Sequence, residues 1–312
     1  MTMNINQARI IDPVLTEVTQ GYRHPERIGH VLFPRVPVFA RGGQIIEFGK
    51  ESFRRYNTRR APGTNTKRLE FGYQGKPFVL VQDALEGMVP QEHVSEAQNV
   101  PGIDLGTGAV TEVMDILTLA LEIEQAELAT NPANYGVDNK VTLSGTDQWS
   151  DPNSDPVKQV REYREIIRRR IGTRPNVMAL SAVGFNALVE HPKIIERFKY
   201  TSSESITADM LARLFNLREV AVGEAVYMED GSEAMKDVWD NVAVLAYVPE
   251  QVTSRRSPSF GYTYALEGHP MTEETYFERN AKSWIYPVTY ERTPVLSGID
   301  SGFLIQDLVA AS

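Results

Sequence analysis

The sequence predicts an α+β protein: a strand-rich body, a long projecting hairpin, and an α/β unit inserted between two stretches of that body. Three patterns predict it. Apolar residues alternate at period two in two separated stretches, 36–81 and 260–290. One long apolar segment, 109–131, has helical length. Between 155 and 249 short helical and short apolar strand segments take turns. At 312 residues, 42% hydrophobic and 23% charged, the chain has the length and composition of a globular protein with a sizeable core.

Residues 1–43 read as an arm. Asp12-Pro13, His24-Pro25 and Phe33-Pro34 are steps that discourage helix, leaving room for one short helix between Asn6 and Gly21. Val36 and Val38, then Ile45, Ile46 and Phe48, read as strand, interrupted by Gly42-Gly43. Leu69, Phe71 and Tyr73 alternate with polar residues and 78–81 is apolar, whereas 57–66 holds Pro62-Gly63 and no large aliphatic side chain. Residues 44–81 are therefore expected to form a two-stranded hairpin with a polar tip. The helix over 109–131 would be about 34 Å long. Its Thr111, Asp115, Thr118, Glu122 and Gln125 fall on one polar stripe, and its remaining, mostly apolar surface needs cover on more than one side. Asn131-Pro132 ends it, and strand character resumes at 137–143.

The inserted unit opens at Asp155-Pro156, an N-cap and first-turn proline, and its first helix runs to Arg168–Arg170 and stops at Gly172. A strand at 177–180, helices after Ser181 and over 194–200, a helix over 208–216 capped by Thr207, and strands at 220–222 and 242–248 complete it. Farther on, Phe260, Tyr262 and Tyr264 alternate, as do Trp284, Tyr286, Val288 and Tyr290. Such stripes can stack on bases, but basic residues among them are sparse, so the buried face of antiparallel strands is the expected role.

Charge is unevenly distributed. Between Lys50 and Lys76 there are eight basic and two acidic residues, a net of +6, and from Pro77 to Asn139 eleven acids and no Lys or Arg. Adjacent blocks of opposite sign suggest pairing within one chain or between neighbours. The whole chain carries a net charge of -9, which argues against a surface devoted to nucleic acid or anionic membrane. With no cysteine, disulfides, thiolate metal sites and cysteine nucleophiles are excluded. The first residues lack the pattern of an export signal and no apolar stretch approaches membrane-spanning length, so a soluble protein made in the cytoplasm is expected.

Signatures of catalysis are missing. The histidines at 24, 30, 93, 191 and 269 form no metal-binding pair at helical spacing. Gly106-Thr-Gly108 lacks the third glycine of a dinucleotide turn and reads as a flexible lead into the long helix. Asp230-Gly231 lacks the acids of a calcium loop and reads as a hairpin turn. Glu122 and Glu124, two apart on a helix, do not face each other, and no Gly-x-Ser-x-Gly elbow occurs. No catalytic residue, cofactor or metal is expected.

A hairpin alone in water is marginal, so the basic hairpin calls for a neighbour. The order of parts resembles the major capsid protein of tailed bacteriophages, the Hong Kong 97-type fold. The resemblance is carried by Arg174-Pro-Asn-Val-Met-Ala-Leu-Ser181 leading to Phe185, Leu188, His191-Pro192 and Ile195. It continues through Met210-Leu-Ala-Arg-Leu-Phe215 with Glu219-Val-Ala-Val-Gly-Glu-Ala-Val-Tyr227, and through Val238 to Pro249. It implies an N-terminal arm (1–43), an extended loop (44–81), a peripheral domain (82–150 and 259–312) with a spine helix at 109–131, and an axial domain (151–258). It further implies self-assembly into pentamers and hexamers of an icosahedral shell around double-stranded DNA, touched weakly and without specificity. Arg54, Arg55, Arg59, Arg60, Lys67 and Arg68 of the loop would meet carboxylates of the next subunit, with Glu112, Asp115 and Glu122 as candidates. About 45 residues precede the loop, too few for a fused scaffolding domain, so a separate scaffolding protein is implied, together with a portal protein and the option of a decoration protein. Rival readings are an encapsulin-like container, a phage connector or tail protein, and a cytosolic hydrolase built on 151–258.

Overall fold

The computed structural model describes residues 11–46, 75–97, 104–199, 205–250 and 259–310. Its helices are α1 (Pro13–Gly21), α2 (Gly29–Leu32), α3 (Gln91–Ala97), α4 (Leu105–Thr130), α5 (Pro156–Ile171), α6 (Ala182–Glu190), α7 (Pro192–Phe198) and α8 (Ala208–Phe215). The strands up to the middle of the chain are β1 (Arg35–Val38), β2 (Gly42–Ile46), β3 (Gly75–Val79), β4 (Val81–Pro90), β5 (Lys140–Thr142), β6 (Val177–Ser181) and β7 (Glu219–Gly223). They are followed by β8 (Val226–Met228), β9 (Met235–Asp237), β10 (Val242–Ala246), β11 (Gly261–Leu266), β12 (Met271–Thr272), β13 (Tyr276–Glu278), β14 (Ser283–Leu296) and β15 (Gly302–Gln306).

Two sheets organise the chain. In the first, β14 pairs antiparallel with β11, β12 and β13 along one edge and with β4 along the other, and β1 adds parallel to β11. One face is covered by Leu15 of α1 and by Val110, Val113, Met114 and Leu117 of α4. The other holds Val36, Val38, Phe78, Leu80, Tyr262 and Tyr264, so Tyr262 and Tyr264 are core, as expected.

The second sheet has the order β5-β15-β10-β6-β7. Its strands are buried through β6 and β10, which explains their unbroken apolar sequences. One face packs Met178, Leu180, Leu245 and Phe303 against α5 to α8. The opposite face packs Val177, Ala179 and Val244 against Trp239, the arm residues Leu32 and Phe33, and Ala126 and Ala129 of α4. Thus α4 reaches from one sheet to the other. The unit expected at 151–258 does not complete its own sheet, because β5 and β15 come from the flanking segments.

Helices of the inserted unit follow their end signals. Asp155 caps α5 and Gly172 ends it at φ 72°. Ser181 and Thr207 cap α6 and α8, and Asp230-Gly231 turns the β8–β9 hairpin. The arm forms a helix at Pro13–Gly21, where Asp12 Oδ1 accepts from the Val14 and Leu15 amides at 3.0 Å. Gly42-Gly43 lies inside β2 instead of interrupting the strand, and β2 pairs with β3 from Gly42↔Val79 to Ile46↔Gly75. The polar hairpin tip lies outside the described residues.

Two further expectations, both on α4, need correction. Gly106-Thr-Gly108 is the first turn of α4, capped by Asp104, and not a flexible lead. The Tyr286 ring lies where a Cβ on Gly106 would stand, 2.9 Å from its Cε1, so only glycine lets α4 close on β14 here. The polar stripe of α4 also turns inward where solvent would ordinarily claim it. Glu122 and Gln125 are buried, while apolar Ile116 is 57% exposed.

Candidate assembly interface

The base of the hairpin is fastened to the first sheet. Arg41, just before β2, donates from Nε to Glu291 Oε2 and from its terminal nitrogen to Oε1, both at 2.7 Å. This bidentate contact holds the Glu291 carboxyl below the usual carboxylate range. The Leu80 amide donates to the Arg41 carbonyl at 2.8 Å, Thr293 Oγ1 donates to the Val79 carbonyl at 2.9 Å, and Phe78 stacks on Tyr264 with ring centroids 4.4 Å apart. Around this anchored base apolar side chains face outward: Phe39 is 72% exposed, Val79 69% and Val81 56%. Among the described residues β4 pairs on one side only, with β14, leaving ten residues of free strand edge.

The predicted contact residues separate into three groups. Arg54, Arg55, Arg59, Arg60, Lys67 and Arg68 lie outside the described residues. Glu112 is exposed on α4, and Asp115, half exposed, is engaged within the chain by Arg27 at 3.1 Å and by the Tyr22 hydroxyl at 3.2 Å. Glu122 must be removed from the list of candidates. It is 2% exposed, and it accepts from the Ile28 and Gly29 amides at 2.9 and 2.8 Å and from Trp239 Nε1 at 2.6 Å. A carboxylate satisfied by three buried donors of its own chain has no face left for another subunit. Gln125, next on the stripe, donates to Thr263 Oγ1 at 2.8 Å.

Arg292 was not anticipated. Its side chain is fully buried, pairs with Glu124 at 2.7 Å and Asp83 at 2.8 Å, and lies 5.6 Å from the centre of the Tyr290 ring. Part of the acidic block thus finds its counter-charge inside the chain. The available signal was one arginine, beside one glutamate, in a strand otherwise free of charge, opposite a segment with many acids and no base.

Among the histidines, His191 is buried between Ser154 Oγ at 3.0 Å and the Asp151 carbonyl at 3.2 Å, and its Nδ1 accepts from the Lys193 amide. Among the described residues no group of acids and histidines could hold a metal ion, and no helix is long and apolar enough to cross a membrane.

Comparison with known proteins agrees with this architecture. The family model for phage major capsid protein E matches residues 124–259. The major capsid protein of Burkholderia phage BcepMu is 36% identical over 97% of this chain and 98% of its own length. A crystal structure of a phage-related protein from Bordetella bronchiseptica RB50 is 47% identical, covers 98% of this chain and all of the other, and superposes with a TM-score of 0.85. The capsid of cyanophage P-SCSP1u shares the fold at 10% identity, with a TM-score of 0.58 over 92% of this chain and 89% of its own. Full-length similarity to a phage capsid subunit, on a Hong Kong 97-type fold with an anchored hairpin and an outward apolar strip, leads to one conclusion: the chain belongs to the bacteriophage major capsid proteins, the structural subunits of the virion shell.

Proposed function

We propose that copies of this chain assemble, in the host cytoplasm, into pentamers and hexamers of an icosahedral shell that encloses double-stranded DNA. The observation that carries this reading is the anchored hairpin base: Arg41 and Glu291 fix its direction while Phe39, Val79 and Val81 stay uncovered. Rigid presentation of an apolar strip beside an open strand edge suits contact with a second copy. In this reading residues 44–81 lie over the adjacent subunit, with Arg54, Arg55, Arg59, Arg60, Lys67 and Arg68 meeting acids such as Glu112. Residues 82–150 and 259–312 act as the peripheral domain and 151–258 as the axial domain. A separate scaffolding protein guides closure, a portal protein occupies one vertex, and a decoration protein has exposed surface to bind. The net charge of -9 keeps contact with packaged DNA weak.

Electron microscopy and light scattering of the purified protein, with and without a co-expressed scaffolding protein, test the proposal. Closed shells, pentamers or hexamers are expected. A monomer or dimer under every condition, scaffold included, overturns it.

A further inference from the structure

Two features of the inserted unit remain unused by the shell reading, and they complement each other. The first is a cleft of about 520 Å³ between α5 and α8. Its apolar wall is Val160, Leu214 and Phe215, and Arg161, Arg164 and Arg174 stand around it with Glu162 and Glu165. Glu165 is occupied by Arg168, Arg169 and Arg174, whereas Arg161 and Arg164 have no carboxylate partner among the described residues. Burial and the neighbouring charges of Arg174 and Arg161 hold the Arg164 guanidinium below its ordinary value. The Arg164 Nε is buried with no hydrogen-bond partner. A cluster of like charges with an unmet donor is costly for a lone chain and favourable once an acidic group arrives.

The second feature is the β8–β9 hairpin. Met228 pairs with Met235 and Val226 with Asp237, so Val226, Met228 and Met235 share one face, at 41%, 57% and 63% exposure. Between its strands run Glu229, Asp230 and Glu233, with Lys236 paired to Glu229 at 2.8 Å. An apolar face with an acidic tip matches an apolar wall with a basic rim. Within one chain the two cannot meet. The cleft belongs to the α5–α8 side of the second sheet, while the hairpin lies over Ile123, Glu127 and Thr130 of α4, on the opposite side.

We infer that the β8–β9 hairpin of one subunit docks into the α5–α8 cleft of the next, a head-to-tail contact that closes the subunits into a ring. The inference rests on the proposed self-assembly and names the surfaces that carry it. A contact between unlike surfaces on opposite faces of one element is heterologous, and such contacts generate rings when the rotation closes. A second copy is favoured over nucleic acid because the Val226, Met228 and Met235 face can cover the apolar wall of Val160, Leu214 and Phe215, which a polyanion backbone would leave exposed.

The test compares three variants with the wild type: D230K/E233K on the hairpin, R161E/R174E on the cleft, and all four changes in one chain. Asp230 and Glu233 leave the Glu229–Lys236 pair untouched, Glu165 keeps Arg168 and Arg169 when the exposed Arg174 at 3.8 Å is changed, and all four positions are exposed, so thermal unfolding of the unassembled chains should match the wild type. Light scattering should show at least a tenfold loss of the ring and shell fraction in each two-site variant and its recovery in the combined variant. Unchanged assembly in either two-site variant, or no recovery in the combined one, overturns the inference. Loss of binding to a fluorescent DNA oligonucleotide in R161E/R174E with assembly intact assigns the cleft to nucleic acid and overturns it as well. A wild type that never assembles defeats the shell reading itself, whereas a wild type and variants that all form shells defeat only the docking.

Discussion

Glu122 shows how a single residue can look like surface and behave as core. On a helical wheel it continues a polar stripe, and the stripe is real, but the arm lies on it and supplies backbone amides as partners. At Gly29 the approach is so close that a Cβ would overlap Gln125 Oε1 and stand 2.8 Å from Glu122 Oε2. Glu122→Ala leaves the Ile28 and Gly29 amides and the Trp239 indole unsatisfied in a buried site, and we expect a loss of about 3 kcal/mol or more in denaturant unfolding. Gly29→Ala overfills the same seam and should cost about 1 to 3 kcal/mol. Wild-type midpoints for both would show that the arm is not held there. His191 makes a separate prediction. Burial lowers its pKa, so the folded chain keeps the imidazole neutral while the unfolded chain takes a proton near the ordinary value of about 6.5. The stability tied to the neutral ring is therefore fully present above that value and is lost as pH falls from it through the lowered folded value. Unfolding midpoints measured at about pH 7.5 and about pH 5.5 should differ more in the wild type than in His191→Gln.

At the scale of elements, the charged contact at the hairpin base joins sequence-distant residues, beside the Thr293–Val79 hydrogen bond and the Phe78–Tyr264 stack. Glu291 has a lowered pKa because Arg41 grips it, so its contribution is complete above the ordinary glutamate value of about 4.3 and disappears as pH drops through the folded value. Arg41→Ala should leave the fold of both sheets intact and speed hydrogen exchange at the Leu80 amide and along β2 and β3; exchange as slow as wild type would refute the anchoring role. Helices with strong end signals, such as α5 with Asp155, Pro156 and Gly172, were legible in the sequence because local chemistry decides them. The strands β4 and β14 were only partly legible. β4 has few β-branched residues and no clean alternation, and it becomes a strand because ten of its residues pair with β14, a choice made by tertiary contact. Strand β5 falls inside 137–143, where strand character was expected; what escaped was the sheet that β5 and β15 join, because runs of three and five residues carry no sign of which sheet will accept them.

For the whole molecule, the two charge blocks have unequal fates. Part of the acidic block is neutralised internally, by Arg292 against Glu124 and Asp83 and by Arg27 against Asp115. Sequence could reveal the blocks but not this division, since it depends on which faces of α4 and β4 turn inward. What remains outward, Glu112 among it, is what the proposed assembly sets against the basic residues 54–68 of a neighbour. Contacts of this kind act mainly on encounter and orientation, and they weaken as salt screens them over a Debye length of about 10 Å at 0.1 M. Wild-type assembly followed by light scattering should therefore slow as ionic strength rises. The variant R54E/R55E/R59E/R60E should assemble at least tenfold more slowly at low salt and lose most of that salt dependence, while its unassembled form unfolds at the wild-type temperature. If it assembles at the wild-type rate, the loop charges are only a solvated surface and the register between subunits is set by the apolar strip at the hairpin base.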